Sequence, residues 1–171
     1  MGYTLTIGEL EVTVDDEFIW LGAEGVKLDD APAFNEPTDH TNSRWPSYTA
    51  WAEFCRDAGI EPLFYGTGWQ TNGAPRYGEC PEGFHRERPL LAEHPGAFPI
   101  TDKDAAYVEA ALATFKAANP NAKAGFQRDV DGTPVSDTDD NTNATLARLE
   151  WLAFWLRWAV DNCKRPVVAN S

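Results

Sequence analysis

The residues from Asn143 to Cys163 constrain this chain more than any other stretch. Leu146, Leu149, Ala153, Leu156, Val160 and Cys163 recur at alternating steps of three and four, which places them along one side of an α-helix. Trp151, Phe154, Trp155 and Trp158 cover much of the remaining circumference, leaving a thin polar stripe of Glu150, Arg157, Asp161 and Lys164. A helix apolar around most of its girth must sit inside a core or against a partner. An enclosed aromatic side chain removes about 150–250 Å² from water, so this segment is predicted to organise the fold.

The other elements follow from periodicity and punctuation. Tyr3, Leu5 and Ile7 alternate with threonines, and Leu10, Val12 and Val14 resume the alternation. A hairpin with its turn at Gly8-Glu9 is the expectation. Phe18–Leu21 reads as a third strand and Gly25–Leu28 as a fourth, so residues 1–28 form a β-meander, and the polar residues 29–43 form a loop. A first helix is predicted over 46–58, with Pro46 in its first turn, Ser43 and Ser47 as capping candidates and Gly59 as its stop. Its apolar face is Tyr48, Trp51, Ala52, Cys55 and Ala58. A second helix is predicted over 101–118. Thr101 is its N-cap, Asp104 completes a capping box, and Val108, Ala111, Leu112 and Phe115 make its stripe before Asn119-Pro120 ends it. Residues 127–143 read as a polar loop with five aspartates. Strands precede helices, which predicts an α+β fold: an antiparallel hairpin or meander packed on about three helices, in one domain spanning 1–171.

Charge narrows the function classes. Residues 1–60 carry twelve acids against three bases, and the whole chain has a formal net charge of −13. That balance repels phosphates, so direct nucleic-acid binding is not expected. It suits a basic protein partner or mimicry of nucleic acid, and serves solubility in any case. No apolar run has the length of a membrane span. The start lacks a secretory pattern, and Gly2 with Thr6 matches a myristoylation start only in part. Cys55, Cys80 and Cys163 are an odd, widely spaced set, pointing to a reducing, cytoplasmic setting. The sequon at Asn143 is then an accident.

Chemistry is most concentrated in the segment 61–99. Six of the 13 glycines and six of the 12 prolines fall in these 39 residues, so it reads as a long irregular loop. Such loops inside a compact domain are functional or firmly tied down. Trp69 and Tyr77 lie here with Arg76, Arg86 and Arg88; together with Trp45, also read as a loop residue, they are the candidate ligand-binding set. Aromatic faces and guanidinium forks can stack a ring and hold a phosphate or carboxylate. The plainer reading is that the aromatics pin the loop to the core while the arginines pair with Glu79, Glu82, Glu87 and Glu93. Cys80, His85 and His94 lack the paired short spacing of a zinc site, and the aspartates of 129–140 fail the calcium-loop template. No metal or cofactor is therefore expected. His85 or His94 with a buried carboxylate such as Glu150 is the catalytic candidate, although Glu150 also suits the solvent edge of a core helix.

The stretches Asn42-Ser43-Arg44-Trp45-Pro46-Ser47-Tyr48, His94-Pro95-Gly96 and Leu149-Glu150-Trp151-Leu152-Ala153-Phe154-Trp155 resemble parts of small uncharacterised proteins of bacteriophage and bacterial genomes. The resemblance runs from about residue 42 to the end. It implies the cytoplasm of a bacterial host and carries over no activity. The first expectation is a phage-like, non-catalytic binding protein that acts on a basic host protein or captures a small anionic ligand. The alternatives are a small-substrate hydrolase or transferase, and a virion accessory protein whose last helix packs on a copy of itself.

Overall fold

A computed structural model describes residues 3–32, 42–45, 48–60, 96–125, 127–128, 134–135 and 142–170. Its helices are α1 (Tyr48–Asp57), α2 (Asp102–Ala118) and α3 (Ala144–Asn162). Its main strands are β1 (Tyr3–Val14), β2 (Ile19–Ala23), β3 (Asn42–Trp45) and β4 (Gly96–Pro99). Short pieces follow at β5 (Lys123–Ala124), β6 (Gln127–Arg128), β7 (Pro134–Val135) and β8 (Thr142–Asn143), and β9 (Pro166–Asn170) closes the order. The α+β architecture, with an antiparallel N-terminal sheet and a long last helix, is as expected.

α3 is the hub. Trp151, Trp155, Leu149, Leu152, Leu156 and Ala159 have no exposed surface, and the helix lies among α2, β1 and β9. Asn143 caps it, accepting from Leu146 N at 2.7 Å. Trp155 meets Phe154 and Trp158 edge to face, with ring centroids 5.1 and 5.3 Å apart. Trp51 of α1 is the third fully buried tryptophan, paired with Phe54 at 5.2 Å. At about 25 cal/mol per Å², burying one such ring stabilises by roughly 4–6 kcal/mol before its entropic cost. The start of α2 and the end of α1 follow the predicted signals. Thr101 N and Oγ1 both donate to Asp104 Oδ2, at 2.6 and 3.0 Å. Gly59 leaves α1 at φ 72°, the left-handed region where a Cβ is strained. No helix among the described residues is long and apolar enough to cross a membrane.

Several local expectations are corrected. β1 runs unbroken through Gly8-Glu9, and the hairpin turn lies at Asp15–Phe18. The skip in apolar phase from Ile7 to Leu10 marks a change of face within one strand. Leu5 and Ile7 point into the core on one face, while Leu10, Val12 and Val14 lie on the other. Gly8 is needed because Glu24 crosses over it: a Cβ there would stand 2.1 Å from the Glu24 carbonyl oxygen. Gly25–Leu28 is not a strand; Lys27 alone makes an isolated bridge. Asn42–Trp45, read as loop, forms β3 opposite Tyr3–Thr6. Its polar residues show no alternation, and pairing with β1 overrides propensity.

Two further strands come from segments read otherwise. Gly96–Pro99, the end of the supposed loop 61–99, is β4, and residues 61–95 lie outside the described residues. β9 went unpredicted, yet it is the centre of the sheet, between β1 and β4. Val167, Val168, Ala169 and Asn170 are all buried, and a strand covered on both sides has no alternation to read. Within the polar loop 127–143, β6 pairs with β7 and β8 pairs with β5.

Candidate functional site

Beyond Glu9 the strands β1 and β2 pair as a two-stranded ribbon, and β2 also lies close to β9 and β4. Their register sets Val12 opposite Leu21 and Val14 opposite Ile19, so these four side chains share one face. Phe18 and Trp20 occupy the other, their rings 5.8 Å apart. All six are exposed, from 45% for Val12 to 69% for Val14. The large exposed hydrophobics among the described residues all belong to this hairpin.

Each end of the ribbon is held by a carboxylate. At the tip, Asp15 accepts from Glu17 N (3.0 Å), Phe18 N (2.7 Å) and the Trp20 indole (3.1 Å). The Glu17 amide foremost, then the indole and the Phe18 amide, hold its carboxyl below the usual aspartate range. At the base, Glu9 accepts from Lys164 N (2.7 Å), Arg165 N (3.0 Å) and Arg165 Nε (3.1 Å). Arg165 also donates to the Leu10 carbonyl at 3.2 Å. These hydrogen bonds, chiefly from the Arg165 amide, pull the Glu9 carboxyl below its usual range. The result is a ribbon fastened to the turn between α3 and β9. Glu11, Asp16 and Glu17 are exposed beside the apolar residues and rim them with negative charge.

Of the candidates read from sequence, Trp69, Tyr77, Arg76, Arg86, Arg88, His85 and His94 lie outside the described residues. Trp45 sits in β3 opposite Tyr3 rather than in a loop. Glu150 pairs with Lys116 at 2.7 Å across the α2–α3 seam, and its side chain is 28% exposed. It is thus an edge residue of a core helix, not a buried carboxylate. α3 shows no large exposed apolar side chain, because its aromatic faces are used within the chain's own core. A groove of about 470 Å³ lies between the end of α1 and α2, lined by Arg56, Gly59, Tyr107, Thr114, Phe115 and Asn119. Asp57 lines it beside Arg56, so among the described residues its one cation is accompanied by a carboxylate. The described residues contain no cluster of three His, Cys, Asp or Glu side chains able to hold a metal.

Sequence reasoning singled out the acidic N-terminal third but missed the hairpin as a surface. The signal was present in the phase skip at Gly8, which turns Val12 and Val14 away from the core face. Comparison with family models, curated proteins and solved structures finds no match to this chain.

Proposed function

We propose that this chain is a non-catalytic binding protein that grips a protein partner with the β1–β2 hairpin. The observation that carries the reading is the exposure of Val12, Val14, Ile19 and Leu21 on one face of the hairpin, with Phe18 and Trp20 exposed on the other. A chain that buries three tryptophans completely has the means to bury apolar side chains. Contiguous apolar surface left outside such a core marks an interaction site. An apolar patch bordered by a polar rim is also the anatomy of a protein interface. The rim of Glu11, Asp15, Asp16 and Glu17 selects a partner with basic residues around an apolar patch. In the bacterial cytoplasm that the resemblance implies, a basic host protein fits this description, and nucleic acid does not.

A photo-crosslinking residue at Val14, compared with one at the exposed Ala106 of α2, tests the reading in bacterial cells. A discrete adduct is expected from Val14 alone, and it should vanish when Ile19 and Leu21 are both replaced by aspartate. Equal labelling from the two positions would overturn the reading. Rising salt should slow association of the purified pair, because the rim charges steer the encounter.

A further inference from the structure

We infer that the hairpin takes its partner as an added β-strand along the outer edge of β2, which rests on the hairpin being the docking surface. Hydrogen bonds at its two ends give the direction of each backbone group. Asp15 N donates to Phe18 O at 3.0 Å and Glu24 N donates to Glu9 O at 2.9 Å. Between them the register runs through Thr13↔Trp20 and Glu11↔Gly22. Hydrogen-bonded and non-hydrogen-bonded pairs alternate along an antiparallel ladder. Trp20 and Gly22 therefore turn their N–H and C=O groups toward β1, and Ile19, Leu21 and Ala23 turn theirs outward. Among the described residues, no strand pairs with that outward edge.

The two borders of the sheet differ in a telling way. At the other end of the pairing order, although close to β2 in space, β4 pairs with β9 through Gly96↔Asn170 and Phe98↔Val168, and Ile100 N donates to Pro166 O at 3.0 Å. The same alternation leaves positions 97 and 99 facing outward, and Pro99 has no N–H to offer. Proline, lysine and bulges are the usual devices that blunt an exposed edge. β2 has none of them. Ile19-Trp20-Leu21-Gly22-Ala23 is uncharged, its register with β1 is unbroken, and Ile19, Trp20 and Leu21 are exposed.

The chemistry of the occupant follows from what borders this edge. Ile19 and Leu21 share a face with Val12 and Val14, so alternate side chains of an added strand meet an apolar surface. Glu11, Asp16, Glu17 and Glu24 are exposed around it. A second copy of the chain brings the same carboxylates and its own formal charge of −13, which opposes pairing of two such edges at neutral pH. The fitting occupant is an extended segment of a basic protein that alternates β-branched residues with Lys or Arg. Main-chain hydrogen bonds would then supply affinity, and the alternate side chains specificity.

Amide exchange of the isotope-labelled full chain tests this. The probe is an acetylated peptide of about eight residues alternating valine and lysine, matched to strand length, with a valine–glutamate peptide as control. Exchange at Ile19, Leu21 and Ala23 should slow by about tenfold or more with the lysine peptide, while Trp20 and Gly22, already paired, change little. Leu21→Pro removes an outward N–H and should abolish binding, whereas Leu21→Ala, which keeps the N–H, should only weaken it. Methyl shifts at Val12 and Ile19 without slower amides would overturn strand addition and leave the hairpin as a side-chain docking surface. No response to the lysine peptide, or an equal response to both peptides, would also overturn strand addition; the Val14 crosslink then judges the docking surface by itself.

Discussion

Asp15 shows how much of the site depends on single atoms. Its carboxylate organises the hairpin tip through two backbone amides and the Trp20 indole. Because these donors depress its pKa, the order they give is fully present above the ordinary aspartate range. It is lost as pH falls through the lower, folded value. The Trp20 indole proton resonance should therefore titrate below the usual aspartate midpoint, and Asp15→Asn should remove that titration. A midpoint at or above the ordinary value would contradict the turn geometry. Gly8 is the second critical position. A Cβ placed 2.1 Å from the Glu24 carbonyl meets backbone that cannot rotate away. Gly8→Ala should cost about 1–3 kcal/mol in denaturant unfolding, whereas Gly22, where a Cβ meets nothing within 4 Å, should tolerate alanine.

Among the elements, the α2–α3 pair separates what holds the fold from what decorates it. Arg157 donates to both carboxylate oxygens of Glu109, at 2.8 and 2.9 Å, and to Asp102 at 2.6 Å. These partners draw the Glu109 carboxyl down and the guanidinium up in pKa. Yet the three side chains are 31%, 42% and 77% exposed, so solvent screens the network. Arg157→Ala should cost about 1 kcal/mol or less. One residue earlier, Leu156 has no exposed surface, and Leu156→Ala should cost about 2–5 kcal/mol. Chemical denaturation of the two variants measures the contrast directly. If Arg157→Ala proved the costlier, the seam rather than the tryptophan core would be holding α3 in place.

At the scale of the whole molecule, charge restrains an adhesive edge. The formal charge of −13 opposes contact between copies at neutral pH, even though β2 offers an unblunted apolar strand. That restraint disappears near the isoelectric point of about 4.5. Light scattering should peak there, and Ile19→Lys should suppress the peak by placing a cation on the edge. Scattering unchanged by this substitution would mean that another surface drives association.

The long last helix and its central place were readable along the chain, because a run apolar on nearly every side admits few environments. The start of α2 and the end of α1 were equally legible, since Thr101 and Gly59 act on their immediate neighbours. Local patterns do not carry pairing partners. Asn42–Trp45 becomes a strand only because Tyr3–Thr6 lies beside it, and Pro166–Asn170 becomes the centre of the sheet only when two distant segments flank it. The hairpin's role as a surface has the same origin. Val12 and Val14 look like core residues by their own alternation; the phase skip at Gly8 puts them on the face opposite Leu5 and Ile7, and only the fold shows that this face is open to water. Burial depends on neighbours far away in sequence, so the exposed apolar surface takes shape only when the chain closes on itself.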